Sequence, residues 1–276
     1  MLHFFPPPYK DEMLYSLFSR YHFYSANRSH ETTSIELFGP PPAHSIPRMF
    51  PTRLGYFTRQ LPPKTPLTLN WLLKNHSLLP YFRPFLPEDR YKKAITLMKG
   101  KAQYKSPKLT LGLNSSRISV PSHLRYCVRC REEDRNLVGE EYWHRSHQLP
   151  GALLCHIHGT RLHVSQIPSV EQWGSCGYAL LSEQPLSAPH TSYPEPWQSP
   201  LKKLAERTHW LLNNPTEPQN IRELKDRYRA TLAPLGLTSL SGRFRSQRII
   251  DLFLKHYGRD LLLQLGCDLD DKNPQN

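Results

Sequence analysis

No apolar run in this 276-residue chain approaches the roughly 18 residues that a helical membrane span needs, so a membrane protein is not expected. The opening "MLHFFPPPYKDE" lacks both the basic segment and the long apolar segment of a secretory leader, which makes the cytoplasm the expected compartment. There is no G-x-x-x-x-G-K-[ST] loop to cradle a phosphate and no G-x-S-x-G nucleophile turn, which removes two common routes to an enzyme. Acids are the scarcer charge, 23 against 36 Lys and Arg, leaving a formal +13 and a pI near 9.6. A surplus of that size points to a polyanionic partner. Cysteines are few and odd in number, five in all, and three of them lie between Cys127 and Cys155. That crowding suits a metal in a reducing compartment better than a disulfide framework.

What is present is proline, basic charge and short helical patterns. Basic residues gather in two windows, Arg83 to Lys108 and Leu201 to Asp260, the first interleaved with Tyr81, Phe82, Phe85, Tyr91 and Tyr104. Such a mixture can follow a phosphate backbone, or the rings can belong to the core. "DEMLYSLFSRYHFYSA" places Met13, Leu14, Leu17, Phe18 and Tyr21 on one helical face, with Asp11 and Glu12 expected in the first turn. A short helix is expected in "TSIELFG", loop and turns from Pro40 to Pro66, and helices in "TLNWLLKNHSLLP" and "PEDRYKKAITLMKG", the latter with Pro87 at its first position. "SAPHTSYPEPWQSP" reads as a linker, after which Ser199 is expected to cap a helix with Pro200 at its first position and Leu201, Leu204, Leu211 and Leu212 inward. "NIRELKDRYRATLAPLG" and "LTSLSGRFRSQRIIDLFLKHYG" form a helical pair with a tight stop at Leu235–Thr238, the second helix opening on Arg243, Arg245 and Arg248. That arrangement suits a helix-turn-helix. The expected fold is mainly α in three parts: an N-terminal helical region 1–120, a zinc-finger region 121–185 and a C-terminal helical region 186–276.

The central stretch carries the chemistry. Cys127-x2-Cys130 and Cys155-x2-His158 are two knuckles whose spacing aims both side chains at one point, and three thiolates with one imidazole complete a tetrahedral zinc site. Four protein ligands leave no place for a reacting water, so the single Zn2+ is expected to be structural. His156 is the rival fourth ligand, disfavoured because it adjoins Cys155. A metal-dependent nuclease is the competing enzyme reading, but Glu132, Glu133, Asp134, Glu140 and Glu141 show no convergent spacing. Trp143, His144 and His147 therefore read as packing and hydrogen bonding around the metal core, and no catalysis is expected.

"RYCVRC", "GEEYWHRSHQLPGALLCHIHGTRL", "FPPPYKDEMLYSLFSRYHFYSA", "HSLLPYFRPFLPEDRYKKAITLMKG" and "LTSLSGRFRSQRIIDLFLKHYG" occur in an order that resembles the TniQ/TnsD family of transposon target-selection proteins, the TnsD-like branch most closely. The resemblance implies that Cys127, Cys130, Cys155 and His158 form the family's zinc finger and that the N-terminal helices include a helix-turn-helix. It implies an adaptor, cytoplasmic and at the bacterial nucleoid when bound to DNA. Such an adaptor recognises double-stranded attachment-site DNA and recruits the AAA+ ATPase regulator TnsC, or alternatively bridges a CRISPR guide-RNA effector to the transposition machinery. TnsD-like proteins continue beyond the point where "DLDDKNPQN" stops. Arg243, Arg245, Arg248, Lys225 and Arg229, with Lys92 and Lys93, are the expected DNA contacts, and Phe4, Phe5 and Tyr9 the expected docking residues for the partner.

Overall fold

The computed structural model describes residues 1–40, 48–100, 107–113, 120–169, 177–185, 192–217 and 220–267. The fold is mainly helical. Helix α1 (Leu14–Ser25) is buried on all sides through its first two turns. It is followed by α2 (His30–Phe38), α3 (Leu54–Gln60), α4 (Leu69–His76), α5 (Leu79–Phe82), α6 (Glu88–Lys99) and the single turn α7 (Pro107–Thr110), with α2 packed on α3, α3 on α4 and α6, α4 on α5, and α6 on α7. Ser29 Oγ accepts the Thr32 amide and Thr68 Oγ1 the Trp71 amide, so α2 and α4 begin on side-chain caps. Phe18 meets Phe38 and Phe57 edge-on at 5.0 and 5.1 Å, which locks α1, α2 and α3 together.

The middle of the chain supplies a small antiparallel pair, β1 (His123–Tyr126) and β2 (His163–Pro168), with Tyr126 opposite His163. Between the strands run α8 (Val128–Val138) and a 3-10 turn at Ser146–Gln148. The principal core draws continuously on the N-terminal helices, β1, the segment through Trp143 and Leu149, and Leu212. The C-terminal part is α9 (Glu195–Asn213), α10 (Ile221–Leu232), α11 (Ser246–Tyr257) and α12 (Arg259–Gln264). Leu153, Leu154, Tyr193, Leu201, Ala205 and Leu261 form a second, smaller core that seats α9 and α12 on the middle segment.

Several local expectations are corrected. Asp11 and Glu12 are not in the first turn of α1, which starts at Leu14; both precede it and turn inward. The proline-rich 40–66 stretch contains a helix, α3, because Leu54 and Phe57 bury on one face between the prolines. Pro87 is the cap residue of α6 rather than its first helical residue. Ser199 caps nothing: α9 begins at Glu195, so the end of the proposed linker is helical and Pro200 lies inside it. Burial of Leu201 and packing of Trp197 on either side of Pro200 outweigh the lost amide hydrogen bond. The inward face of α9 is Leu201, Ala205, Thr208 and Leu212, with Leu204 and Leu211 only half-buried. The stop between α10 and α11 is not tight. It runs from Ala233 to Arg245 and folds back on itself, with Thr238 bridged to Phe244 and the Ser239 amide donating to the Arg243 carbonyl at 2.8 Å. Arg243 and Arg245 thus precede α11, and only Arg248 lies within it.

Candidate metal centre and its polar scaffold

β1 delivers the chain to Cys127, which caps α8, and Cys130 lies in the first turn of that helix. The second knuckle is a tight turn. The Cys155 amide donates to the Thr160 carbonyl, the Gly159 amide donates back to the Cys155 carbonyl, and the His158 amide reaches Cys155 Sγ at 3.5 Å. Gly159 sits at φ +64°, a conformation that favours glycine. His158 Nδ1 stands 3.5 Å from Cys127 Sγ, 3.4 Å from Cys130 Sγ and 3.6 Å from Cys155 Sγ, and Cys130 Sγ is 3.6 Å from Cys155 Sγ.

These separations test the fit of a metal. A tetrahedron with metal–sulfur bonds of about 2.3 Å and a metal–nitrogen bond of about 2.0 Å has edges of roughly 3.5–3.8 Å. The four donors lie at that spacing and the three sulfurs are buried, so they could hold one tetrahedral ion. Proton affinity agrees. Contacts with the Cys130 and Cys155 thiols hold Cys127 far below the usual thiol range, and the same contacts push those two upward. Only a cation lets all three carry charge together.

The surroundings are built to orient that donor set. Glu133 Oε1 is 2.8 Å from His158 Nε2, which fixes the tautomer that leaves Nδ1 free for a metal. Thr160 Oγ1 lies 3.3 Å from Cys127 Sγ, and His147 Nε2 lies 3.8 Å from Cys130 Sγ. Burial lowers His147 to about 3, so it packs there as a neutral ring. His156, the rival ligand, is turned away and stacks on His209 of α9 with ring centres 3.6 Å apart.

Beneath the knuckles, residues 140–148 form the polar centre of the molecule. Glu141 takes Arg131 Nε at 2.5 Å and also pairs with Arg135. Arg20, buried in α1, bridges Glu12 and Glu140 at 2.9 and 2.6 Å and lies 4.0 Å from the centre of the Tyr9 ring. Burial pushes the Glu12 carboxyl up to about 7 against the pull of Arg20. His144 Nε2 sits 2.8 Å from Asp134, and its Nδ1 lies 3.7 Å from Asp11. Burial alone would lower this imidazole, but the two carboxylates outweigh it and raise it to about 9. Arg145 donates to Asp11, to the Lys74 and Ser77 carbonyls at the end of α4, and to Asn213 at the end of α9. Trp143 is fully buried, its amide on Ser16 and its indole N–H on the Ala179 carbonyl. The expectation of packing and hydrogen bonding for Trp143, His144 and His147 describes these contacts. Arg20 and Arg145 are not marked by the sequence pattern, and Asp11 and Glu12 only as helix-start acids, because nothing local links Arg145 to Asp11 or Arg20 to Glu140, each more than a hundred residues away.

The other expected site residues are placed as follows. Arg243, Arg245, Arg248, Lys225 and Arg229 are exposed, Arg229 being paired with Asp226 and hydrogen-bonded to the Gly242 carbonyl. Lys92 and Lys93 are exposed on α6, Lys92 paired with Glu88. Of the rings in the first basic window, Phe82 is core, Tyr81 and Tyr91 pack against it, Phe85 is exposed, and Tyr104 lies outside the described residues. The proposed docking end is not free. Leu2 is buried with its amide on the Gln60 carbonyl, Phe5 packs between Tyr21 and Phe57, and Tyr9 donates to Glu140 at 2.6 Å. Among Phe4, Phe5 and Tyr9 only Phe4, 39% exposed, keeps an open face, and all three pack on the fold rather than forming a loose segment.

A family model described as TniQ matches residues 3–162, which contain the whole donor set and the polar centre. A second, described as Tn7-like transposition protein D, matches residues 204–276. Among curated proteins the chain is similar to transposon Tn7 transposition protein TnsD of Escherichia coli, 32% identical over 155 residues. That stretch is 56% of this chain and 30% of the relative, so the chain matches less than a third of the relative's length.

Proposed function

The chain belongs to the TniQ family, and from that premise we propose that it is a non-catalytic target-selection adaptor for DNA transposition. In this reading it binds attachment-site duplex DNA and presents it to an AAA+ regulator of the TnsC type. The ion held by Cys127, Cys130, Cys155 and His158 is one zinc, with a structural role, since four protein donors complete a tetrahedron and leave no position for a reacting water.

One observation carries the reading. Helices α10 and α11 have no buried residue, and the turn between them is largely exposed, yet they hold Lys225, Arg229, Arg243, Arg245 and Arg248 at the surface. Among the described residues none of Arg243, Arg245 and Arg248 is ion-paired. A basic, weakly cored element mounted on a well-packed body is suited to a polyanion that completes its contacts. The family match over residues 204–276 covers this same element and supports its role in transposition.

Quantitative DNA binding tests the proposal. Charge reversal at Arg243, Arg245 and Arg248 is expected to cost about 1–3 kcal/mol per base-reading arginine on the preferred site and less on random sequence. Reversal at Lys92 and Lys93 is expected to cost the same on every sequence. Equal losses on all DNA for both sets would reject site reading by the arginines and leave an adaptor that receives its target from a guide-RNA complex.

A further inference from the structure

Between the end of α2 and the contact of α3 with α6 lies a cavity of about 570 Å3, rimmed by Arg53, Arg59 and Lys99 and, among the described residues, by no acid. Two glycines shape it. At Gly39, with φ +77°, a Cβ would stand 2.9 Å from the Tyr56 ring; at Gly55 it would meet Lys99 Cγ and the Lys99 carbonyl at the same distance. Without side chains at these positions, α3 lies directly on the end of α6 and the cavity keeps a tyrosine wall. Arg53 braces both edges, its amide on the Gly100 carbonyl at 2.9 Å and its Nη1 on the Gly39 carbonyl at 3.0 Å. Arg59 lies 5.9 Å from the centre of the Tyr56 ring, and among the described residues neither it nor Lys99 forms an ion pair.

Arg59 and Lys99, two exposed cations with no ion pair among the described residues, face one concave site and suit an anion there. The site also continues outward. Lys92, Thr96 and Lys99 recur at helical spacing on one face of α6, so the basic stripe runs about 10 Å from Lys92 into the cavity. Over that axial length one strand of a duplex presents about three phosphates. The Tyr56 ring and the methylene stems of Arg59 and Lys99 give the stripe an apolar floor suited to sugar rather than to base edges.

We infer that this groove and the α6 stripe form a phosphate track that grips one strand of duplex DNA without regard to sequence, as a second anchor beside the C-terminal helices. The inference rests on the DNA-binding reading above. It goes beyond the α6 contacts at Lys92 and Lys93 by assigning phosphate contacts to Arg59 and Lys99 and to the groove they rim.

The test uses the full chain with Arg59→Gln and Lys99→Gln, singly and together, against an equal charge change at two exposed cations outside the groove, Lys10→Gln with Arg28→Gln. Binding of the preferred site and of random duplex is measured from 50 to 300 mM salt. Loss of two phosphate contacts is expected to reduce the slope of log affinity against log salt by about 1.8 and to weaken binding roughly sixtyfold near 0.1 M salt, equally on both DNAs. Both groove positions are exposed, so the melting temperature should hold, and the single variants report if the double variant does not fold. Wild-type slope and affinity in the groove variants, with wild-type DNA binding intact, overturn the track alone. So does an equal loss in the control pair, or a loss on the preferred site that random duplex does not share. A wild-type chain that binds no duplex removes the DNA-binding reading itself.

Discussion

Arg145→Met is the most informative single change, because this guanidinium joins three parts of the chain. It donates to Asp11 at 3.0 Å, to the Lys74 and Ser77 carbonyls at 2.7 and 3.1 Å, and to Asn213 at 2.9 Å. Methionine keeps an apolar stem but no donor, so packing is largely preserved while the polar contacts go. Removing one partner of a buried ion pair costs roughly 3–5 kcal/mol, and each buried acceptor left without a donor adds about 1–3 kcal/mol. Asp11 retains the Ser146 amide at 3.2 Å and His144 at 3.7 Å, and the Lys74 contact is only part-buried, which leaves the buried Ser77 carbonyl as the acceptor that loses its donor. The expected loss is therefore the ion-pair figure with a small addition for Ser77, about 5 kcal/mol, a large share of the ~5–15 kcal/mol that stabilises a typical domain. Urea unfolding followed by circular dichroism measures it. Asp11 sits at φ +60°, which asparagine tolerates, so Asp11→Asn removes the charge with little backbone strain. The double variant should be less damaged than the sum of the single ones by about 2 kcal/mol or more. A loss under about 1 kcal/mol for Arg145→Met, or strict additivity with Asp11→Asn, would refute this account of the polar centre.

Metal analysis of the purified chain should find one zinc, and Cys127→Ser should lose it together with the protease resistance of residues 120–169, whereas Cys267→Ser should change neither; full zinc occupancy in Cys127→Ser would end the assignment. Glu133→Gln should weaken zinc about tenfold in a chelator competition without unfolding the chain, since it removes only the carboxylate behind His158. His144, at about 9 in the folded chain and near 6.5 when unfolded, contributes stability that is full below about pH 6.5 and disappears as pH rises through 9. Stability should accordingly fall from pH 6.5 to 9, and His144→Asn should flatten that limb; an unchanged slope in the variant counts against the two-carboxylate cradle. Deleting Met1 to Tyr9 should lower the melting temperature by several degrees, because it removes Leu2 and Phe5 from the core and Tyr9 from Glu140 and Arg20, and an unchanged melting temperature would restore the free docking end.

The donor set was readable because its signal is local. Two residues separate each pair of ligands, and a turn that brings them together needs no knowledge of the rest of the fold. Helices were readable where an apolar face repeated over several turns, as in α1 and α6. They were misread where proline opposed burial, as at Pro200 and around α3, since burial of Leu201 or Phe57 depends on partners distant in sequence. Of the polar centre, the packing and hydrogen-bonding role of Trp143, His144 and His147 was readable, but its charge pairs were not. Asp11 and Glu12 look like ordinary helix-start acids, and only the return of residues 140–148 onto α1 turns them into buried counter-charges for Arg145 and Arg20. The Phe4–Tyr9 segment failed for the same reason, its apolar residues having a destination on α1 and α3 that sequence spacing does not mark.

The placement of the knuckles suggests how the proposed ion could act at a distance on the proposed DNA-binding element. Leu153 and Leu154 immediately precede Cys155, and the Leu162 amide returns to the Leu153 carbonyl at 3.0 Å, so the turn bearing Cys155 and His158 closes directly on these two leucines. The same pair forms the seat for Leu201 and Ala205 of α9 and Leu261 of α12. Arg161, bridged to Leu154, lies 4.5 Å from the centre of the Tyr193 ring on the approach to α9. The far end of α9 is fixed separately by Arg145 on Asn213. Helices α10 and α11 bury nothing of their own, so their orientation is inherited from α9 and α12; α12 rests on Leu153 and Leu154, and α9 rests on them through Leu201 and Ala205 and on α5 and the principal core through its far end at Leu212. Zinc binding to such sites contributes roughly 10–16 kcal/mol, far more than the few apolar side chains of the second core. Loss of the ion should therefore release the seat before it unfolds α1, and DNA affinity should fall while the N-terminal helices are still intact.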